Sequence, residues 1–272
     1  MSILSWNCRG LGGTRTVREL LGIVSKERPF FVFLMETKAN VDKVEQVRVK
    51  MGFEGAVNVD RVGLGGGLAL LWRDAKSASL LSFSNNHIDM EVTLPGRPKW
   101  RLTDFYSNPE RSKRHITWDL LRKLKHRSSL PWVVVGYFND IAFLSEKRGD
   151  HSHPDAIIEC FNDALSDYQL NDLGMLGDRF TWEKSHGTEA WVEERLDRAV
   201  ASINWVGLHE EAAVRKIFTV ASDHSAIFHN LETRLIRAAR SSFKFESAWL
   251  LNARCAKEVE AACSQTIEMG FR

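Results

Sequence analysis

The feature that most constrains this chain is a set of apolar runs of strand length, each of which meets a polar residue. "SILSW" stops at Asn7, "PFFVFLM" at Glu36 and "WVVVGYF" at Asn139. "ERLDRAV" carries Asp197 inside it, and "KIFTVA" gives way to Ser222, Asp223 and His224. Runs this short and this apolar read as strands buried on both faces. Helical patterns lie between the first of them. "TVRELLGIVSKE" places Val17, Leu20, Leu21 and Val24 on one face, and "VDKVEQVRVKMG" ends on Gly52, a helix stop. An opening of strand, helix, strand, helix predicts an α/β fold in which helices cover sheets.

The middle of the chain is richer in strands. "GLGGG" at 63–67 precedes the strand "LALLW". A phosphate-binding loop would need a following helix and a Lys-Ser/Thr pair, so the turn of a hairpin is expected instead. "HIDMEVT" alternates, with Ile88, Met90 and Val92 on one face, and "KWRLTDFY" is its expected partner. Residues 111–126 predict a basic amphipathic helix burying Trp118, Leu121 and Leu124. A strand at 131–135, a helix near 154–167 and short strands at "RFTWEK", "ERLDRAV" and "RKIFTVA" complete the reading. Gly136 is expected to let the chain turn beyond its strand.

Polar residues at the ends of buried strands converge at a sheet edge even when far apart in sequence. Glu36 with Asn7 offers an oxygen-rich metal site, and Asp197 with His224 a carboxylate–histidine pair. Hard oxygen donors favour Mg²⁺, with Mn²⁺ as the substitute, and suit phosphodiester hydrolysis. Each residue taken singly reads more often as a turn, a cap or a surface ion pair. The net charge of +2 neither demands nor excludes a nucleic-acid partner. Four scattered cysteines without a CxxC pair read as reduced thiols. No apolar run is long enough to span a bilayer, and "MSILSWNCRG" lacks the layout of a secretion signal. A nuclear or cytoplasmic location is expected.

Taken together, "SWNCRGLG", "METK", "GGLALLW", "FYSNPE", "WVVVGYFND", "RFTW", "ERLDRAVA" and "SDHSAI" follow one another in a familiar order. They resemble the endonuclease/exonuclease/phosphatase superfamily and, more narrowly, the endonuclease domain of plant LINE-type (non-LTR) retrotransposons. The resemblance covers residues 2 to about 230. It implies a four-layered α/β/β/α sandwich of the deoxyribonuclease I-like type, with DNA as partner and the site at the sheet edges. Residue by residue it implies Asn7 and Glu36 at the metal, and Tyr106 at the scissile phosphate. Asn139 would hold the phosphate or the attacking water, and Thr181 would be a second-line polar group. Asp197 would orient His224, the active-site histidine, with Asp223 the acid near the metal.

Tyr137 departs from that pattern, which reads Gly-Asp-Phe-Asn where this chain has "GYFN". The resemblance gives the missing aspartate the task of orienting or deprotonating the attacking water. A phenol, with an ordinary pKa near 10, is a poor base at neutral pH. The family also favours glycines where Asp104 and Ser107 stand, and a carboxylate near phosphate would repel it. Three readings follow: a Mg²⁺-dependent DNA endonuclease impaired at Tyr137, an inactive nucleic-acid-binding relic, or a small-molecule phosphatase of the same superfamily. The nuclease-like domain is expected over 1–231. Residues 232–272 read as a basic linker and the start of a truncated helical connector, with "FKFESAW" resembling the approach to a reverse transcriptase.

Overall fold

The computed structural model describes residues 1–60, 66–149 and 153–232. Chain order begins with β1 (Ser2–Asn7), α1 (Thr14–Glu27), β2 (Phe31–Met35) and α2 (Val41–Met51). A run of strands follows: β3 (Gly55–Val59), β4 (Leu68–Trp72), β5 (Ala78–Ser84), β6 (His87–Val92) and β7 (Trp100–Tyr106). Next come α3 (Arg114–Lys125), β8 (Trp132–Tyr137), β9 (Lys147–Arg148), α4 (Asp155–Asp167) and β10 (Asn171–Asp172). The last elements are β11 (Trp182–Lys184), β12 (Val192–Glu194), β13 (Asp197–Ala201), α5 (Ile203–Leu208), β14 (Ala213–Ile217) and β15 (Ala226–Asn230).

Among the described residues the strands make two six-stranded sheets, ordered β14-β15-β1-β2-β4-β3 and β10-β13-β8-β7-β6-β5, and a small sheet β11-β12-β9. Alternation along each strand divides the apolar residues between two faces. Ile3, Phe31, Phe33 and Leu70 of the first sheet meet Ile88, Met90, Leu102 and Val135 of the second in one buried layer. The other face of the first sheet, with Leu4, Trp6 and Val32, packs on Leu20 and Val24 of α1 and Val44 and Val47 of α2. The other face of the second, with Phe105 and Val134, packs on Leu121 and Leu124 of α3 and Phe161 of α4. The result is the expected α/β/β/α sandwich. Strands buried on both faces explain why the runs are almost wholly apolar.

Local signals are where the sequence puts them. Asn40 caps α2 by accepting from the Lys43 amide at 3.1 Å, and Gly52 ends it at φ 68°. β3 and β4 pair antiparallel, the hairpin expected around "GLGGG", although residues 61–65 lie outside the described residues. The basic helix begins as a 3₁₀ turn at Arg111–Lys113 and becomes α-helical at Arg114. Two expectations need correction. The strand expected at 131–135 runs on to Tyr137, and Gly136 is not a free turn. It lies inside the ladder between Phe105 and Arg198, at φ 145°, where an added Cβ would sit 2.0 Å from the Phe105 carbonyl oxygen. Glycine is required there for close approach, so the backbone of Tyr137 is held in register.

The compact unit that holds the described residues spans Met1–Thr233. At the end of the described residues, Glu232 pairs with the Met1 amine at 3.1 Å and with Arg97 at 2.7 Å. The linker and connector expected beyond it lie outside the described residues. No described helix is long and apolar enough to cross a membrane.

Candidate active site

Sheet topology gathers the strand ends. β1 and β2 pair in parallel, with Asn7 opposite Met35, so Asn7 and Glu36 emerge at one edge. β7 and β8 are also parallel, with Tyr106 opposite Tyr137. β13 runs antiparallel to β8 and opens with Asp197 opposite Tyr137. β15 runs antiparallel to β1, so the loop before it, holding Asp223 and His224, returns to the same edge. Side-chain contacts close the set. Glu36 touches Asn7 and Tyr106, Tyr106 packs on Tyr137, and Tyr137 packs on His224.

The first wall of this cleft comes from β1, β2 and the 222–224 loop. Asn7 Nδ2 donates to Glu36 Oε1 at 2.9 Å, and the Tyr106 hydroxyl donates to the same oxygen at 3.2 Å. Burial pulls the Glu36 carboxyl upward in pKa. The Asn7 hydrogen bond and the charges of Lys38 and Arg9 outweigh it and hold the group below its usual range. Asp223 Oδ2 accepts from Arg9 and, at 3.2 Å, from Trp182 Nε1. Asn7 Oδ1 and Asp223 Oδ1 are buried without a hydrogen-bond partner. These oxygens beside the Glu36 carboxylate fit a hard divalent cation. Among the described residues no cluster of three or more Asp, Glu, His or Cys forms a metal site, so the donor set is two acids and an amide.

The second wall comes from β8, β13 and the loops beside them. Asp197 Oδ2 takes a hydrogen bond from His224 Nδ1 at 2.9 Å, both groups being buried. That bond places the proton of a neutral ring on Nδ1 and its lone pair on Nε2. The His224 backbone is pinned in turn: its carbonyl accepts from Trp6 Nε1 at 3.0 Å and Thr219 Oγ1 at 2.6 Å. Thr181 is tied to the backbone of the neighbouring segment. Its buried hydroxyl accepts from the amides of Leu196 and Asp197 at 3.1 and 2.9 Å, fixing the start of β13.

Tyr137 fills the space between these groups and is only 8% exposed. Its ring meets the His224 imidazole edge-on, 88° between planes and 4.9 Å between centroids. Its hydroxyl donates to Asn139 Oδ1 at 2.7 Å, while Asn139 Nδ2 donates to the Asn108 carbonyl at 3.2 Å. Both ends of the Asn139 amide are therefore engaged within the protein. Burial, reinforced by the Asp197 charge, pushes the Tyr137 phenol well above its ordinary value. Burial and the Glu36 carboxylate do the same to Tyr106. Neither phenol is a base at neutral pH.

Asp104 and Ser107, expected near the phosphate, are both buried. Asp104 shares the inter-sheet face of β7 with Leu102 and Tyr106, is fully buried, and neither of its oxygens has a hydrogen-bond partner. Ser107 is buried too, 3.1 Å from Thr117 Oγ1, which ties β7 to α3. The "LDR" stretch, which singly reads as an exposed ion pair, is a buried brace. Arg198 bonds Glu146 at 2.9 Å and Asp172 at 2.7 Å with no exposed surface. Sequence reasoning missed Arg9, Lys38 and Trp182, which crowd the first wall. Trp182 stands within "RFTWEK", next to the singled-out Thr181, but nothing in a sequence marks which exposed cation folds back over an acid.

The chain belongs to the endonuclease/exonuclease/phosphatase family, whose model matches residues 4–224. Solved structures of similar fold include the endonuclease domain of TRAS1, a telomere-specific non-LTR retrotransposon. It is 15% identical with a TM-score of 0.64, over 86% of this chain and 99% of that one. The 3' phosphatase NExo from Neisseria, bound to a product DNA hairpin, is 17% identical with a TM-score of 0.64, covering 85% and 99%. An AP endonuclease from Archaeoglobus fulgidus is 14% identical with a TM-score of 0.63, covering 85% and 98%. At these identities the likeness is one of fold. No curated protein matches the sequence.

Proposed function

We propose that this chain is a metal-dependent phosphodiester hydrolase domain, the DNA endonuclease of a plant LINE-type element, whose catalysis is throttled by Tyr137. The family membership and the motif order support the first half. The packing of Tyr137 against His224 and Asn139 carries the second.

Asn7, Glu36 and Asp223 would hold the divalent ion, Mg²⁺ with Mn²⁺ as substitute, which supplies charge stabilisation to the phosphate. Asp197 fixes the ring of His224, so that Nε2, or the imidazolium formed when it is protonated, faces developing negative charge. Tyr106 offers a hydroxyl at the edge of the same carboxylate. The throttle acts twice. A buried phenol cannot take a proton from water at neutral pH, and its ring occupies space beside the histidine where a nucleophile has to sit. Losing a general base costs about 10²–10⁴ in rate. Its hydroxyl also occupies one of the two acceptor sites of the Asn139 oxygen, leaving that amide less to offer a water.

The relic reading, binding DNA without cutting it, follows from the same plug together with the basic face of α3. The exposed Lys123 and Arg127 lie along that helix and beyond its end. A reverse transcriptase downstream and a nuclear site of action belong to the same proposal. A supercoiled-plasmid nicking assay with Mg²⁺ tests it. Tyr137→Asp is expected to raise nicking by about a hundredfold or more. Equal nicking by the unaltered protein and Tyr137→Asp would remove the throttle from the account.

A further inference from the structure

The carboxylates of the first wall already have cations of their own. One guanidinium, that of Arg9, bonds Asp223 through Nη1 and lies with Nε 3.9 Å from Glu36 Oε2. Lys38 Nζ lies 3.4 Å from that same Glu36 oxygen. Both side chains reach in from the solvent side, being 47% and 33% exposed, so either can leave without disturbing the core. The backbone is committed to the arrangement. Arg9, Glu36 and Lys38 sit at φ 50°, 50° and 48°, in the left-handed region that non-glycine residues seldom adopt. Strain gathered at one cleft is a mark of a purpose-built site. Meanwhile Asn7 Oδ1 and Asp223 Oδ1, pointing into the same acidic wall, keep no partner at all.

We propose that Arg9 and Lys38 are a displaceable counter-cation for the Glu36–Asp223 pair, in direct competition with a divalent ion. The inference rests on the reading above, in which Asn7, Glu36 and Asp223 hold that ion. A site that is competent only when its own cations have swung out binds more weakly by the fraction of time they are out. An exposed ion pair is worth up to about fivefold in such an equilibrium. Arg9, spanning both acids, opposes the metal more than Lys38, which touches one. With the ion absent, the same two cations leave the cleft close to neutral and able to approach a phosphate.

Mn²⁺ binding followed by electron paramagnetic resonance tests this on the intact chain without reference to activity. Glu36→Gln identifies the Glu36-dependent fraction of bound Mn²⁺. Arg9→Gln is expected to tighten that fraction about five- to tenfold, and Lys38→Gln about two- to fivefold. Arg9→Lys, which keeps a cation in reach of one acid, should fall between Arg9→Gln and the unaltered protein. Unchanged or weaker Glu36-dependent binding in both Arg9→Gln and Lys38→Gln overturns the competition while leaving the metal reading in place. Absence of Glu36-dependent binding in every variant overturns both.

Discussion

The two walls of the cleft carry similar chemical groups that differ in what surrounds them. On the first sheet's side, Asn7 and Asp223 each keep a buried oxygen without a partner, and the charge is balanced by solvent-side Arg9 and Lys38. On the second sheet's side, Tyr137 donates to Asn139, Asn139 donates to the Asn108 carbonyl, and the Tyr137 ring closes on His224. A buried polar atom without a partner costs about 1–3 kcal/mol, so the first wall is held ready for a ligand at the fold's expense. The second wall has turned more of its capacity inward, although Asp197 Oδ1 is also buried there without a partner.

The comparison is broken most sharply by reopening the second wall. In the Tyr137→Asp background, adding His224→Ala or Glu36→Ala should return plasmid nicking to baseline, a fall of about a hundredfold or more. Persistent nicking in those double variants would show that neither wall does the chemistry. Next in size is Gly136→Ala, which places a Cβ 2.0 Å from the Phe105 carbonyl at φ 145°. It should destabilise the fold by about 3 kcal/mol or more, read as a drop in urea midpoint. An unchanged midpoint would mean that the second wall is not braced through this contact.

A smaller effect, of opposite sign, is expected behind the same wall. Burial, with the Asp89 charge, raises the Asp104 carboxyl well above its ordinary 3.8. The folded state therefore holds a proton that the unfolded chain releases, and stability falls as pH rises from 3.8 toward the folded value. Asp104→Leu should stabilise the protein at pH 7 by about 1–3 kcal/mol and remove that slope. Destabilisation would mean that the carboxyl has a use in the core. The smallest effect at neutral pH is expected on the first sheet, at His229. Burial, with His209 nearby, lowers its pKa from 6.5 to about 3. Its contribution is complete above pH 6.5 and is lost as pH falls toward 3, because the unfolded chain takes up the proton first. His229→Leu should raise the melting temperature more at pH 5 than at pH 7; equal shifts at both pH values would exclude the linkage.

Much of this was legible in the sequence because polar residues at the ends of apolar strands have few other places to go. Asn7, Glu36, Asn139, Asp197, Asp223 and His224 reach one cleft by that logic, and the resemblance names what each does in a working enzyme. The surroundings of Asp104 were opaque because β7 is buried on both faces. Without a solvated face, alternation gives two sets of residues but does not say which meets the partner sheet. Gly136 was misread for a related reason. A glycine at a strand's end usually marks freedom, and its close approach to Phe105 exists only once β7 and β8 are paired. Arg9 and Arg198 were opaque because their partners, Asp223 and the Glu146–Asp172 pair, come from segments that only the tertiary fold brings alongside.

The ladder around Gly136 has a consequence for heredity. Because β7 and β13 clamp that residue on both sides, whatever stands at position 137 is aimed into the cleft. Codons for tyrosine and aspartate differ at a single base. A copy of this gene therefore lies one point mutation from carrying a carboxylate at that place, in a reading frame whose other site residues are still in position.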